Sequence, residues 1–449
     1  MDTSLVTRFS TYLREERLWR PGQQWLLTVS GGLDSVVLTH LCVQAGIDGP
    51  IAHCNFQLRG AESERDEAFV RALAERYGRP FCVERLDTSA YAAQRKVSVQ
   101  VAARELRYRW FRSFLGAPVT AIATAHHLDD NIETMLMNLV KGTGAAGLRG
   151  MLPLQEQIVR PLLFATREEL EAYATAQGLA HVEDSSNATD KYTRNFFRHR
   201  VIPLLEERYP DVRQNLASNL ARFRDLEDLY RQAVDRHRED LLEPRGNGEW
   251  RVAVAKLERA RPLDTVIFEL LKPFGFTPAQ AGEALALLHS SPGHFVASAT
   301  HRVIRDRRFL LICAPEDPAV LQVVVEQGQA EVSFPQGRLS ISAMDVLPGG
   351  AATTLAAGAN LALLDAARVP FPLVLRRWKT GDYFYPLGMP KKKKLARFFI
   401  DSKLSLADKE KIWVLESAGR IVWVVGRRID DRCKVTDGTA RVLRLEWTA

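Results

Sequence analysis

Apolar and polar positions along the first third of the chain predict strand and helix in turn. Trp25-Leu26-Leu27-Thr28-Val29 is a short apolar run ending in a β-branched residue, the pattern of a buried strand. After a polar turn, Val36, Val37, Leu38, Leu41 and Val43 outline an apolar helix. A second strand is predicted within Gly49–Asn55, a third from Pro80 to Glu84 and a fourth over Thr120–Thr124. Helices are predicted at Ala61–Tyr77, Val99–Phe114 and Leu128–Val140. This βαβ alternation implies a parallel sheet with helices on both faces. Ligands of such sheets bind at the C-terminal strand ends, where Ser30, Asn55 and His126 fall.

Further on the pattern changes. Gly142–Gly150 is glycine-rich, Ile158-Val159-Arg160 is a short strand candidate, and Thr166-Arg167-Glu168-Glu169 is a capping box opening a helix to about Gln177. Glu183–Asn187 reads as a loop, and 192–240 as mainly helical with breaks near Pro203 and Tyr209-Pro210. Residues 216–315, rich in Leu, Ala, Arg and Glu, predict a small helical domain, with a hairpin between Gly293–Val296 and Phe309–Ile312. From about 320 the chain turns β-rich, with one basic helix expected over Lys391–Phe399. The expected fold class is α/β, with an N-terminal parallel-sheet domain (1–215), a helical middle domain (216–315) and an α+β C-terminal domain (316–449).

Composition narrows the setting. The 449 residues are 46% hydrophobic and 26% charged, and no apolar run approaches the roughly 20 residues of a membrane span. The five cysteines are scattered, with no Cys-x-x-Cys pair, which points to a reducing compartment, the cytoplasm, and away from a cysteine-bound zinc or cluster. The net charge of +7 is uneven. Residues 366–449 hold 19 Lys+Arg against 9 Asp+Glu, a net of +10, which leaves the preceding chain at −3. A basic tail on a near-neutral body suggests a polyanionic partner, although a solvated charged face has the same composition.

Several segments carry chemistry. Ser30-Gly31-Gly32-Leu33-Asp34-Ser35 joins the first strand to its helix. Its glycines allow a sharp turn and close ligand approach, the helix N-terminus favours an anion, and Asp34 offers a carboxylate to Mg²⁺. No Gly-Lys-Ser/Thr follows, so it is not a Walker loop. An ordinary strand-to-helix turn uses the same residue types.

Thr124-Ala125-His126-His127-Leu128-Asp129-Asp130-Asn131-Ile132-Glu133-Thr134 leads from the fourth strand into a helix. Asp130 and Glu133 share a helix face and are candidates for Mg²⁺ or an ammonium group, while His126 is placed to meet a phosphate or a purine. Helix capping by Asp129 or Asp130 explains part of the segment. Arg104 and Arg107, in Ala103–Tyr108, share a face able to clamp phosphates, or lace a surface helix with Glu105. Arg194 and Arg198 are spaced i, i+4 around Phe196-Phe197, which suits a charged nucleotide or an amphipathic core helix. In the tail, Arg376, Arg377, Trp378 and Tyr383 precede Lys391-Lys392-Lys393-Lys394, and this mixture of bases and aromatics favours RNA.

Together these segments resemble the PP-loop ATP-pyrophosphatase superfamily and, within it, the tRNA(Ile)-lysidine synthetase family. The matching segments are Ser30–Ser35, Leu58-Arg59-Gly60 with Ser63 and Asp66-Glu67, Ala103–Tyr108, Thr124–Thr134, Gly142–Gly150, Arg160–Leu163, Asp184–Asn187 and Arg194–Pro203, in order over 25–205. Arg376–Asp401 resembles the family's RNA-binding tail, with Tyr383 where a basic residue is common and Pro390 where glycine is common. The resemblance implies that ATP adenylates the C2 carbonyl oxygen of the wobble cytidine in the CAU anticodon of tRNA(Ile). The amine of L-lysine then attacks C2 and expels AMP. The resulting lysidine moves decoding from AUG to AUA and charging from methionine to isoleucine.

The implied ATP-binding residues are Ser30, Gly31, Gly32, Leu33, Asp34, Ser35, Asn55 and His126, with Mg²⁺ on Asp34 and Asp130. The implied catalytic residues are Asp34, Arg104, Asp130, Glu133 and Arg194. Asp130, Glu133 and Arg194 are assigned to lysine, and Arg198, Arg376, Arg377, Lys391, Lys392, Lys393 and Lys394 to tRNA. No membrane partner is expected, and a homodimer is one option for assembly. A PP-loop tRNA thiolase would handle sulfur through paired cysteines, which are missing here. An RNA-binding protein without ATP chemistry would have no use for the intact Asp34, His126, Asp130, Glu133 and Arg194.

Overall fold

The computed structural model describes residues 4–58, 60–183, 193–315, 322–345 and 358–448. Asp184–Asn187 and Arg59 therefore lie outside the described residues. The chain divides into two compact units, 1–231 and 232–449.

The first unit opens with α1 (Leu5–Glu15), β1 (Gln24–Thr28), α2 (Leu33–Gln44), β2 (Ile51–Asn55), α3 (Ala61–Arg76) and β3 (Phe81–Arg85). Then come α4 (Thr88–Arg95), α5 (Val99–Arg112), β4 (Val119–Ala123), α6 (Leu128–Lys141), α7 (Ala145–Leu148), β5 (Leu154–Gln155), β6 (Ile158–Val159) and α8 (Arg167–Ala176). The sheet order is β3-β2-β1-β4-β6-β5, parallel except for the β5–β6 hairpin. β1 has fully buried Trp25, Leu26 and Leu27 because the sheet is covered on both faces. Trp25 and Leu27 join a core with residues of α1, α2, α3 and α8, while Leu26 points to the other face with Phe111 of α5. β1 and β4 are neighbours although β2 and β3 intervene in sequence, so the strand order reverses between them. That switch point leaves a crevice at their C-terminal ends.

The unit closes with α9 (Thr193–Phe196), a π-helical turn (Phe197–Val201), α10 (Ile202–Arg208) and α11 (Val212–Leu241), along which the chain enters the second unit. Pro203 follows the π turn and has no N–H to give a regular helical ladder. Ile132 and Met135 of α6 pack with Ile202 and Leu220, which holds α10 and α11 against α6.

The second unit begins with β7 (Leu242–Gly246), β8 (Glu249–Ala253), α12 (Val254–Leu257), α13 (Leu263–Leu271), α14 (Pro278–Ala286), β9 (Phe295–Ala297), β10 (Arg302–Asp306) and β11 (Phe309–Cys313). The hairpin expected between Gly293–Val296 and Phe309–Ile312 is instead three strands, because Arg302–Asp306 (β10) inserts between β9 and β11 and pairs with both in a five-stranded sheet, β7-β8-β11-β10-β9. The small helical middle domain of the sequence reading is therefore mixed α and β. The β7 and β8 strands are charged on the solvent side, and this composition resembled helix. Asn247 at φ 52° and Gly248 at φ 72° form the tight connection between them.

The remaining strands are β12 (Gln322–Val325), β13 (Glu331–Phe334), β14 (Gly337–Asp345), β15 (Leu361–Asp365), β16 (Leu373–Arg377), β17 (Tyr383–Phe384), β18 (Lys393–Lys394), β19 (Trp413–Ser417), β20 (Arg420–Val424), β21 (Arg428–Ile429) and β22 (Arg441–Thr448). Sheets β12-β16-β19-β20-β21 and β13-β14-β22-β15 share one core that includes Leu339, Leu364, Leu375, Leu415 and Trp423. The helix expected over Lys391–Phe399 is instead α15 (Leu395–Asp401), followed by α16 (Leu406–Glu410). Lys393 and Lys394 are extended because they pair with Phe384 and Tyr383. The helix starts where Leu395 and Phe399, four apart, turn one apolar stripe into the core.

Candidate active site

The loop after β1 and the segment after β4 meet at the switch point. Gly31 has φ +95° and its carbonyl accepts from Val182 N at 2.9 Å. A Cβ there would lie 2.7 Å from Val182 Cγ2, so both conformation and space require glycine. Gly32 is the N-cap of α2 with no side-chain cap, which leaves first-turn amides for an anion. Ser30 Oγ lies 3.3 Å from Ser35 Oγ and accepts from Gly32 N at 3.3 Å, while Ser35 Oγ donates to Gly32 O at 2.8 Å. Leu33 is buried and anchors the first turn.

Asp34 faces three neighbours. Arg167 Nη1 donates to both carboxylate oxygens at 2.6 Å, and His127 Nε2 lies 3.9 Å from Oδ2. Burial pushes the Asp34 carboxyl up and nearby Asp130 adds to this, against His127 and Arg167. Arg167 is delivered by α8, whose first amide donates to Asp129 Oδ2 at 2.8 Å. Asp129 Oδ1 pairs with Arg213 of α11.

His127 is the hub of these carboxylates. It is 2% exposed, with Nε2 3.5 Å from Asp130 Oδ2 and Nδ1 3.5 Å from Asp129 Oδ2. Burial opposes its protonation, but Asp129, Asp130 and Asp34 together hold its pKa above the ordinary value. His126 behaves oppositely. Burial, with Arg160, Arg194 and Arg107 nearby, pushes it down to about 4 despite Asp130. It is therefore neutral near pH 7, with Nδ1 2.9 Å from Thr124 Oγ1.

Asp130 and Glu133 lie one turn apart on α6, and both are bound by Arg198. Its Nε donates to Glu133 Oε1 at 2.7 Å, and its Nη2 to Glu133 Oε2 at 3.2 Å and Asp130 Oδ1 at 3.0 Å. Arg194 Nε lies 3.5 Å from Glu133 Oε2, and its Nη2 donates to Thr134 Oγ1 at 2.9 Å. Glu133 is 1% exposed. Burial pushes it up by more than Arg198 draws it down, whereas His127, His126, Arg194 and Arg198 overcome burial at Asp130 and hold it low. Neighbouring carboxylates with pKa values moved apart suit distinct proton roles.

Other candidate residues sit elsewhere. Asn55 is 1% exposed, donates to Glu64 and Glu67 at 3.3 and 3.0 Å, and accepts from Gln57 N at 3.0 Å. Its side chain is engaged in holding α3 on β2. Arg104 is exposed on α5, its guanidinium 4.9 Å from the Tyr108 ring centre. In the second unit Arg376 is not a free phosphate-facing group. It donates to Asp382 at 2.8 and 3.0 Å and to Glu416 at 2.8 Å. Trp378 packs against Phe399 and donates to Lys409 O at 2.6 Å, which makes it a core residue. Arg377 Nη1 donates to Glu410 O at 3.1 Å. Lys393 pairs with Asp401 at 2.7 Å, whereas Lys391, Lys392 and Lys394 are exposed, and Lys392 Nζ lies 5.4 Å from the Tyr383 ring centre.

Arg167 and Arg213 carry no expected role in the sequence, while His127 is expected only as a member of the Thr124–Thr134 segment and Asp129 only as a helix cap. Arg167 was visible only as part of a capping box, which explains its backbone and not the reach of its side chain to Asp34. Among the described residues no cluster of three or more His, Cys, Asp or Glu forms a metal cage. Asp34 and Asp130 flank His127 Nε2 and raise one another's cost of ionisation, a donor set that fits Mg²⁺ held by one or two carboxylates together with phosphate oxygens. No helix among the described residues is long and apolar enough to cross a membrane.

Comparisons with known proteins match the whole architecture. A PP-loop domain family covers residues 1–205, a TilS substrate binding domain 245–315 and a TilS substrate C-terminal domain 373–447. A tRNA(Ile)-lysidine synthase of Parabacteroides distasonis is 39% identical over 448 residues, covering 98% of this chain and 99% of its own. One from Bacteroides thetaiotaomicron is 38% identical over 444 residues, with 97% and 98% covered, and one from Bacillus subtilis 29% over 450 residues, with 92% of each. Whole-length matches above 30% identity, set on a PP-loop that faces the α6 carboxylates, show that this chain belongs to the tRNA(Ile)-lysidine synthase family of enzymes.

Proposed function

We propose that the chain is a carbon–nitrogen ligase joining L-lysine to C2 of the wobble cytidine in the CAU anticodon of tRNA(Ile), with ATP converted to AMP and pyrophosphate. The observation that carries this reading is the meeting, in a full-length relative of lysidine synthases, of the Ser30–Ser35 loop with Asp130 and Glu133. In the first step the cytidine C2 oxygen attacks the α-phosphorus of ATP, and pyrophosphate leaves. The amides of Gly32 and the first turn of α2, with the Ser30 and Ser35 hydroxyls, face the departing charge. Asp34 and Asp130 would hold Mg²⁺, which supplies charge neutralisation at the phosphates. Arg104 is assigned to phosphate charge from the rim.

In the second step the lysine amine attacks C2 and AMP leaves. Only the neutral amine is nucleophilic, so the ammonium must be captured and lose a proton. Asp130 and Glu133 serve as its carboxylate partners, with Arg194 and Arg198 balancing their charge and steadying the adenylated base. Neutral His126 meets the adenine or a phosphate. Asn55 acts indirectly, by holding α3 on β2. The tail holds the tRNA through Lys391, Lys392 and Lys394 with Tyr383, and through Arg377. Arg376 and Lys393 hold that platform together.

The division of labour follows residues 1–215 for catalysis and 216–315 and 316–449 for tRNA, and the reaction belongs to the cytoplasm. The deciding experiment is incubation with ATP, labelled lysine and either tRNA(Ile) or the tRNA(Met) that shares its anticodon letters. Label is expected in tRNA(Ile) alone. No label in either sinks the reading.

A further inference from the structure

A second feature of the first unit is a cavity of about 670 Å³ on the outer side of β4, between α5 and the β5–β6 hairpin. Arg95, Arg104, Arg109, Arg112 and Arg160 line it, with Tyr108 among them. Glu105 and Glu156 also face it, which leaves three positive charges in excess. Glu156 is paired with Arg112 at 3.0 Å, and Glu105 accepts from Tyr91 Oη at 2.9 Å. Tyr91 Oη in turn accepts from Arg109 at 2.7 Å.

Arg160 is the telling member. It is 6% exposed, its guanidinium donates to Leu152 O at 2.7 Å, and its buried Nε meets no acceptor. Arg107, one turn from Arg104, has a buried Nε in the same condition. A buried guanidinium facing other arginines is costly without an anion. Burial and Arg104 both disfavour the charge on Arg160.

The cavity includes no residue of Ser30–Ser35 or of Thr124–Thr134. β6 lies beyond β4 from β1, about 5 Å further along the sheet for each strand. Its upper end is nevertheless next to the crevice, because Thr124 N donates to Val159 O at 3.0 Å just before Arg160. An ATP phosphate chain seated after β1 would reach no further than Arg104 and would leave Arg95, Arg109, Arg112 and Arg160 unfilled, whereas a polyanion entering the crevice from this side would meet them. Tyr108, its ring centre 4.9 Å from the Arg104 guanidinium and 5.3 Å from that of Arg107, ties both arginines to the wall.

We infer that this arginine cavity binds the backbone phosphate of a single-stranded RNA nucleotide flanking the base that reacts at the crevice. The inference rests on the ligase reading above. The source of the phosphate is the RNA, and ATP is the competing source that the test separates.

The test uses the full chain and the isolated anticodon stem-loop of tRNA(Ile), so that contacts of the tail do not mask the result. R109A/R112A, at two exposed positions of α5, is compared with wild type and with R109K/R112K. The Ala variant is expected to bind the stem-loop roughly tenfold or more weakly. The slope of log affinity against log salt should shrink by roughly one. The Lys variant retains most of the binding, and ATP affinity by equilibrium dialysis is unchanged in both. Unchanged stem-loop affinity and salt slope in the Ala variant overturn the inference. A parallel loss of ATP affinity also overturns it and gives the cavity to the nucleotide. If the double variant does not fold, R95A is read against the same outcomes. Failure of wild type to incorporate lysine sinks the ligase reading. Lysine incorporation by wild type with normal stem-loop binding by the Ala variant sinks only the cavity assignment.

Discussion

Arg167 and Asp34, 133 residues apart, meet through a single guanidinium nitrogen that lies 2.6 Å from each carboxylate oxygen. The pair brings the start of α8 onto the phosphate-facing loop. A carboxylate pushed up by burial is kept company by a cation until other positive charge arrives. Asp34→Asn keeps the shape and removes the charge. Lysidine formation should fall by about 100-fold or more, as for loss of a preorganised electrostatic group. Thermal stability should change by no more than about 1 kcal/mol, because the lost pair is partly exposed and repulsion from Asp130 is relieved. Full ATP-dependent lysine incorporation by this variant would remove Asp34 from the mechanism.

Glu133 is fully enclosed between Arg194 and Arg198. Glu133→Gln should raise the KM for lysine more than that for ATP, by about tenfold or more. It should also cost about 1–2 kcal/mol of stability, reduced from the fully buried case because both arginines are about a third exposed. Steady-state kinetics with lysine varied at saturating ATP and tRNA makes the comparison.

His126 gives a pH dependence with a definite sign. Its pKa is lowered from 6.5 to about 4, so the unfolded chain binds the proton more readily. The stabilisation is fully present above pH 6.5 and is lost as pH falls towards 4, with an amplitude of about 1–3 kcal/mol. Urea unfolding at a series of pH values should show His126→Gln with a flatter profile over this window. An unchanged profile would place His126 in contact with solvent.

Arginine and lysine in the tail should separate by readout. Arg376→Ala strands Asp382 and Glu416 and should destabilise the second unit by about 2–4 kcal/mol. K391A/K392A should leave the melting temperature unchanged and weaken tRNA binding, with a salt slope smaller by roughly one to two. Thermal melts and filter binding at several salt concentrations test both.

Gly31→Ala meets Val182 Cγ2 and a positive φ together. A loss of about 1–3 kcal/mol in stability is expected, with a raised KM for ATP.

The hydrophobic pattern made β1, β2 and β4 legible because each is a buried local run, and half-buried β3 by its short apolar stretch, whereas α1 and α4, which bury few residues, went unexpected. The capping box at Thr166 was readable as another local pattern, with both reciprocal bonds formed. What Arg167 and Arg213 do was not legible. Their partners, Asp34 and Asp129, are supplied by chain folding over long separations, and local pattern explains both arginines as surface helix residues. β7 and β8 escaped because their charges outweighed a Gly-Asn-Gly turn signal. The four-lysine run has the composition of a basic helix start, but pairing with Tyr383 and Phe384 makes two of its residues extended.

The reversal of strand order between β1 and β4 has a consequence for how such an enzyme can change. In the proposed reading the cradle for the departing pyrophosphate follows β1, whereas Glu133 and Arg194, which would receive the attacking amine, come from separate stretches of chain after β4. On that reading, substitutions at Glu133 and Arg194 would select a different attacking group while the cradle after β1 stays as it is. Such an arrangement would leave the nucleophile open to change and the pyrophosphate cradle as the fixed inheritance.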